Sequence, residues 1–420
     1  MTAPPGPLAI DAPRLQSEID ALAQISEATP PVVTRIVFSE ADQKARAWLR
    51  AKCTEAKLTI REDAIGNMFA RWQGADANAP AVATGSHIDA IPNAGKYDGV
   101  VGVLGGLEAI RALQRASFRP SRSIELLLFT SEEPTRFGIG CLGSRLLSGA
   151  MEPSAAQQLI GADGKSLDLA RNAAGFTGDL DTAVLKPNHF YAFVELHIEQ
   201  GPLLEQTAVP LGIVESIAAP ASFEIILQGS GGHAGATLMH VRKDALCAAA
   251  EVILAVENAA KDSGSTDTVA TVGICDVFPG AVNSIPSRVR LTLDLRDTDL
   301  ARRDQTFRDI RRSAEQVGEE RSIAVEFITI NADSPATCSP VVTDALTRAC
   351  AKHNLPFQKM ISHAYHDSLF MSRIAPTAML FIPCHKGYSH RPDEYSSPED
   401  IARGTLILAE TLADLSLHAR

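Results

Sequence analysis

The sequence predicts an α/β protein of two domains. One is a discontinuous domain with a mainly parallel, helix-covered sheet; the other is an inserted ferredoxin-like α+β domain. Three observations predict this. Strand-like and helix-like segments alternate up to about residue 215, the order that gives parallel sheets covered by helices. Between residues 216 and 332 the order becomes β-α-β-β-α-β, the ferredoxin-like pattern, over an ordinary domain length. From about Asp333 the first pattern resumes. The expected domains are therefore residues 1–215 with 333–420, and residues 216–332.

The elements follow in order. Residues 1–12 are rich in Pro and Ala and are expected to be loose. Helices are predicted over residues 16–24 and 39–57. Residues 58–72 read as a hairpin turning at Gly66. A short buried strand over residues 81–84 leads into Gly85-Ser86-His87. A small-residue helix over residues 100–115 precedes the apolar strand Ile124–Phe129, and another strand ends at His197. In the inserted domain, strands are predicted over residues 222–229, 269–277, 288–297 and 323–330, with helices over 241–261 and 299–317. The alternation in residues 288–297 is strict. A strand over residues 377–383 and a helix from Pro398 complete the first domain. Gly99, Gly102, Gly105 and Gly106 faintly suggest a nucleotide loop, but they follow a loop instead of a strand, so close helix packing explains them better.

Composition excludes several function classes. The chain has 420 residues, 45% of them hydrophobic, with 5% aromatic and a formal net charge of −11. An acidic surface argues against nucleic acid or an anionic membrane as partner. No apolar stretch reaches transmembrane length. The N-terminal residues lack the basic and apolar regions of a signal peptide. Seven scattered cysteines without a Cys-x-x-Cys pair read as reduced thiols acting as small buried hydrophobes. A cytoplasmic location is expected.

The chemistry starts at Glu132-Glu133, at the end of an apolar strand. Adjacent carboxylates raise one another's pKa, and burying them is costly without a compensating cation. A solvated pair is the plain alternative. Other candidate metal ligands sit where predicted strands end: His87, Asp98, His197 and His390. With Glu133, they offer the His, Asp and Glu donors that hard and borderline divalent ions accept. Ligands of open α/β sheets gather at the carboxyl ends of strands. Convergence there would make a two-metal site bridged by Asp98. Glu132 would then be the general base. No Gly-x-Ser-x-Gly elbow and no Walker loop exist. In the inserted domain, His233, Asn283 and Arg296 stand out. An arginine can clamp a carboxylate, and His or Asn can stabilise an oxyanion.

These motifs resemble the M20 metallopeptidase superfamily, in its amidase (hydantoinase/carbamoylase) branch. That branch takes in allantoate amidohydrolases, N-carbamoyl-L-amino-acid hydrolases and ureidoglycolate amidohydrolases. The carrying motifs are Gly85-Ser-His-Ile-Asp, Lys96-Tyr-Asp-Gly-Val, Phe129-Thr-Ser-Glu-Glu, Glu195-Leu-His-Ile-Glu-Gln-Gly, His233-Ala-Gly, Asn283-Ser-Ile-Pro and Tyr388-Ser-His. The resemblance implies two divalent ions per subunit, Mn2+ or Zn2+, held by His87, Asp98, Glu133, His197 and His390, with Glu132 as base. It implies a homodimer through the inserted domain, which acts as a lid, with His233 and Asn283 reaching the partner's active site. It implies Arg296 as holder of a substrate carboxylate, and Gln200, Tyr365 and His366 as pocket residues. The stretches Phe129–Ile139, Ser216–Ser222, Ala364–Met371 and Phe381–Asp400 look most like the ureidoglycolate-cleaving members. The expected substrate is a small ureido acid. Two departures stand out: Ala221 where carbamoylases carry an arginine, and Leu238 and His240 in His233-Ala-Gly-Ala-Thr-Leu-Met-His, the latter where a proline is expected.

Overall fold

Asp11 starts the first helix. Its carboxylate accepts the Arg14 N–H at 3.1 Å and Pro13 sits in the first turn, so the helix runs Ala12–Ala23, earlier than the periodicity predicts. The computed structural model describes residues 6–417; the rest of the segment expected to be loose lies outside the described residues. The chain divides into two units. The first takes in residues up to Glu215, Thr337–Met360 and the chain from His366; the second takes in Ser216–Ala336 and Ile361–Tyr365. Residues 333–336 and 361–365, which the sequence pattern gives to the first domain, thus pack with the second unit.

The first unit is built on a mixed sheet. Its centre is four adjacent parallel strands in the order Thr377–Ile382, Ala192–Ile198, Val82–His87 and Ile124–Phe129. The margins are antiparallel. Met68–Trp72 runs against Ile124–Phe129, Thr59–Glu62 runs against Met68–Trp72, and Gly212 to Val214 runs against Thr377–Ile382. The expectation of a mainly parallel sheet holds only for the centre. A hairpin with a tight turn can only pair antiparallel, whereas parallel pairing needs a long crossover. Every residue of the four central strands is buried, which requires cover on both faces.

The helices Val100–Arg115 and Pro398–Leu417 pack on each other and on this centre. The glycines of Val100–Arg115 make that contact possible. A Cβ on Gly102 would lie 2.5 Å from the Leu196 carbonyl oxygen, and one on Gly106 would lie 2.8 Å from Leu126. These glycines serve packing, not a nucleotide. Beyond Glu133, three short helices, Leu142–Leu147, Pro153–Gln157 and Leu167–Ala173, help bury a satellite core around Phe38, Ile65, Phe137 and Phe176. Segments this short show little periodicity, so the sequence alone does not reveal them.

The second unit is a four-stranded antiparallel sheet in the order Val269–Phe278, Arg288–Asp297, Ala219–Gln228, Ala324–Ala332. Helices Ala245–Lys261 and Leu300–Arg321 pack on it and on each other. The strict alternation of Arg288–Asp297 is what the fold uses. Val289, Leu291, Leu293 and Leu295 enter the core with Phe223, Ile225 and Val252, while Asp294 and Arg296 face outward. Each such core side chain contributes roughly 1.5–3 kcal/mol by burial. The helix expected from residue 241 begins at Ala245, because the Asp244 carboxylate caps the N–H groups of Leu246 and Cys247. Cys247 and Cys275 are exposed, so the expectation of buried cysteines holds only for the other five. Among the described residues no helix is long and apolar enough to cross a membrane.

Candidate metal centre and active site

Because the four central strands are neighbours and parallel, their carboxyl ends open side by side. His87 ends one strand, His197 lies near the end of the next, and Glu133 and His390 follow the outer two. Asp98 sits just ahead of the helix Val100–Arg115. Its two oxygens face different partners. Oδ1 lies 3.2 Å from His197 Nε2 and 3.8 Å from His87 Nε2. Oδ2 lies 3.2 Å from His390 Nε2, which is itself 3.2 Å from Glu133 Oε1. Two groups with metal-ligand spacing result, His87–Asp98–His197 and Asp98–Glu133–His390, sharing Asp98.

Backbone contacts aim the rings. His87 Nδ1 lies 3.0 Å from the Asp89 carbonyl oxygen and His197 Nδ1 lies 2.9 Å from that of Ile198. Spending Nδ1 on a carbonyl turns Nε2 toward the centre, the usual arrangement of ligating histidines. Gly99 keeps the space open. Its φ is +65°, and a Cβ there would fall 2.4 Å from His87 Nε2.

The charges are concentrated and mostly buried. Burial, then the charges of Glu133, Asp367, Asp98 and Asp89, push the Glu132 carboxyl well above the usual carboxylate range. Burial works against ionised Asp98 too, but hydrogen bonds from His197 and His390 outweigh it and hold Asp98 well below that range. Burial lowers the His197 imidazole, yet its hydrogen bond to Asp98 carries it up to about 9. Hydrogen bonds to Asp98 and Glu133 carry His390 up to about 11. Among the described residues no lysine or arginine pairs with Asp98, Glu132 or Glu133. Acids so crowded, without a fixed cation, fit a centre that takes metal.

Glu132 lies beside this set, with Oε2 3.7 Å from His87 Nε2. Gln200, expected in the pocket, donates to Asp98 Oδ2 at 2.9 Å and to Ser389 at 3.2 Å. The His366 ring is buried, 4.4 Å from the His197 ring. The other expected contacts belong to the second unit. His233 and Asn283 are neighbours there: Gly232–His233 pairs with Ser284–Ile285, and the Ala234 N–H donates to the Asn283 carbonyl at 2.8 Å. The His233 and His240 side chains are exposed. Arg296 holds Asp294 through Nε at 2.7 Å and Nη2 at 3.2 Å, donates to the His363 carbonyl at 3.1 Å, and lies 5.8 Å from the Tyr365 ring centre. Ala221 is buried in the second unit's core.

Several residues at the centre escape the sequence reading. The Asp89 carboxylate accepts the N–H groups of Glu132 at 3.3 Å and Glu133 at 3.0 Å, fixing the pair. Glu394 accepts the N–H groups of Tyr97 and Asp98 through Oε1 and the Ser389 hydroxyl through Oε2. Burial and the nearby Asp98 carry its carboxyl up to about 7. Glu195 accepts from the Ser86 hydroxyl and from the hydroxyl and N–H of Ser368, and it lies within ligand distance of His197 and His366. Asp89 has a signal, its place two residues after His87. Glu394 has none, since Tyr97 and Asp98 are remote from it in sequence.

Known proteins resemble this chain along nearly its whole length. Ureidoglycolate hydrolase of Arabidopsis thaliana is 52% identical over 417 residues, covering 98% of this chain and 88% of that protein. The crystal structures of AtUAH in complex with (S)-hydroxyglycine and with glyoxylate each match with a TM-score of 0.90 at 51% identity, over 98% of this chain and 99% of theirs. Residues 83–414, which contain all five candidate ligands and Glu132, match peptidase family M20/M25/M40, and the chain belongs to that family.

Proposed function

We propose that this chain is a metal-dependent amidohydrolase that cleaves the ureido C–N bond of a small ureido acid, ureidoglycolate. The observation that carries the reading is Asp98, whose two oxygens each face a separate histidine-containing ligand group beside Glu132. Two divalent ions, Mn2+ or Zn2+, held by His87, Asp98 and His197 and by Asp98, Glu133 and His390, would supply Lewis acidity and lower the pKa of a water. Glu132 takes a proton from the attacking water and returns it to the leaving nitrogen as the C–N bond breaks. His233 stabilises the oxyanion that forms on the ureido carbonyl. Arg296 and Asn283 hold the substrate carboxylate, and Gln200, Tyr365 and His366 line the pocket.

Cleavage leaves hydroxyglycine and carbamate. Carbamate falls apart to ammonia and carbon dioxide, and hydroxyglycine loses ammonia to become glyoxylate. The molecules bound in the AtUAH crystals are the two carbon-skeleton products of this sequence, which supports the substrate assignment. The inserted domain, residues 216–332 in the sequence reading, acts as lid and dimerisation surface. Its edge strand Val269–Phe278 exposes Val269, Ile274 and Phe278, and Leu254 is exposed on the helix packed over it. An open apolar strand edge suits pairing with a second copy, through which His233 and Asn283 serve the partner's site. Seven unpaired cysteines suit a reducing, cytoplasmic setting.

The test is purified, Mn-loaded protein assayed for ammonia from ureidoglycolate, allantoate and N-carbamoyl amino acids. Ureidoglycolate is expected to be the best substrate; faster turnover of N-carbamoyl amino acids would assign a carbamoylase instead. Glu132→Gln is expected to keep bound metal and lose turnover by about 10²–10⁴-fold, the usual worth of a positioned base. Full activity in that variant would remove Glu132 from the mechanism.

A further inference from the structure

A cysteine touches the carboxylate on which the proposed reaction turns. Cys141 is completely buried, and its Sγ lies 3.4 Å from Glu132 Oε1, within thiol hydrogen-bond distance. The other oxygen, Oε2, is the one that lies toward His87. The same residue grips Glu132 a second time, its N–H donating to the Glu132 carbonyl at 2.7 Å. The grip extends along the chain: Leu142 N–H donates to Ser131 and Gly143 N–H to Thr130, at 2.9 and 2.8 Å. Residues 141–143 therefore run alongside 130–132 as a splint. Cys141 and Ser131 both adopt left-handed backbone, at φ +55° and +57°, which non-glycine residues rarely do.

We propose that Cys141 is a positioning residue for Glu132: its thiol fixes Oε1 and thereby leaves Oε2 as the proton-accepting oxygen. This rests on the reading of Glu132 as the base. The direction of the bond follows from chemistry. To take a proton as the proposed base, Glu132 must be ionised, and an ionised carboxylate only accepts, so the thiol donates. Burial and the Glu132 charge both push the Cys141 thiol well above its usual range, so it keeps the proton it donates. An unanchored carboxylate can swing about its last torsion, which is broad and roughly two-fold. The thiol removes that freedom without adding a charge that would lower the basicity of Glu132.

The test uses the full-length, Mn-loaded enzyme with ureidoglycolate and compares Cys141→Ala, Cys141→Ser and Glu132→Gln. Cys141→Ala is expected to lower kcat about tenfold through loss of orientation, with KM, bound metal and thermal midpoint held. Cys141→Ser keeps a donor and is expected to recover to within about threefold of the parent. Parental kcat in Cys141→Ala overturns the inference. Equal losses in both variants also overturn it, because the thiol then acts by volume alone. So does a joint fall of kcat, metal content and melting temperature. If Glu132→Gln is inactive while Cys141→Ala is unaffected, only the role of Cys141 fails; if Glu132→Gln is fully active, the base assignment itself fails.

Discussion

Asp89 shows how one side chain can set a whole centre. Its carboxylate takes the N–H groups of both Glu132 and Glu133, while its carbonyl lies against His87 Nδ1. It therefore orients one expected ligand, His87, and fixes the backbone of another and of the base. Burial and the facing Glu133 would favour its protonated form, and burial is the larger cause in carrying it up to about 6; the charge on His87 and the backbone donors work the other way. Asp89→Asn would turn an amide toward those N–H groups. Metal affinity is expected to fall by about 10–100-fold, the usual cost of disturbing residues that support ligands, as read by metal titration of the purified variant. Unchanged affinity would show that Glu132-Glu133 holds its place by other contacts.

At the scale of elements, strands place the candidate ligands and loops do the aiming. Ser131, Cys141, Gln200 and His390 all take left-handed backbone around the centre, each at a cost of order 1 kcal/mol or more. Strain of this kind persists only where neighbours over-determine it, and it could not be read from the local sequence. Helix Val100–Arg115 was legible because its small residues and period are local; the splint at residues 141–143 was not, because it is a pairing of two loops. The edge strand Val269–Phe278 carries the element-scale prediction. Ile274→Lys puts a charge on the exposed edge and, if the proposed dimer forms through it, is expected to leave monomers in light scattering. Ammonia release should fall with it, since His233 and Asn283 would no longer reach a partner. A dimer that persists would place the interface elsewhere.

For the whole molecule, metal and proton compete for the same atoms. With no metal bound, His197 and His390 stand at about 9 and about 11, so both rings are protonated near neutrality. Metal entry must displace those protons, and calorimetry in buffers of differing ionisation enthalpy is expected to show release of about two protons per subunit near pH 7. Affinity should therefore rise with pH, and acidification should strip metal and activity together. The metal-free protein behaves oppositely. Both imidazoles are raised above their unfolded value of about 6.5, so their ion pairs stabilise the fold fully below that pH. That stability is lost as pH rises through about 9 and then about 11. A chelated sample should accordingly melt at lower temperature in alkaline than in neutral buffer.

The sequence by itself determined the α/β alternation and the β-α-β-β-α-β order of the second unit, and it pointed to five candidate ligands beside Glu132. Each is legible because period, strand-end position and residue type are local properties. Only the tertiary structure decided that the sheet is parallel at its centre and antiparallel at its margins, that Asp98 divides its oxygens between two groups, and that Arg296 holds Asp294 on its own strand. It also brought in Asp89, Glu394 and Cys141. Their roles depend on hydrogen bonds to backbone and carboxylate groups that only folding brings within reach. A hydrogen bond acts over about 3 Å. No spacing along the chain encodes a contact such as that between Glu394 and Asp98, which lie 296 residues apart.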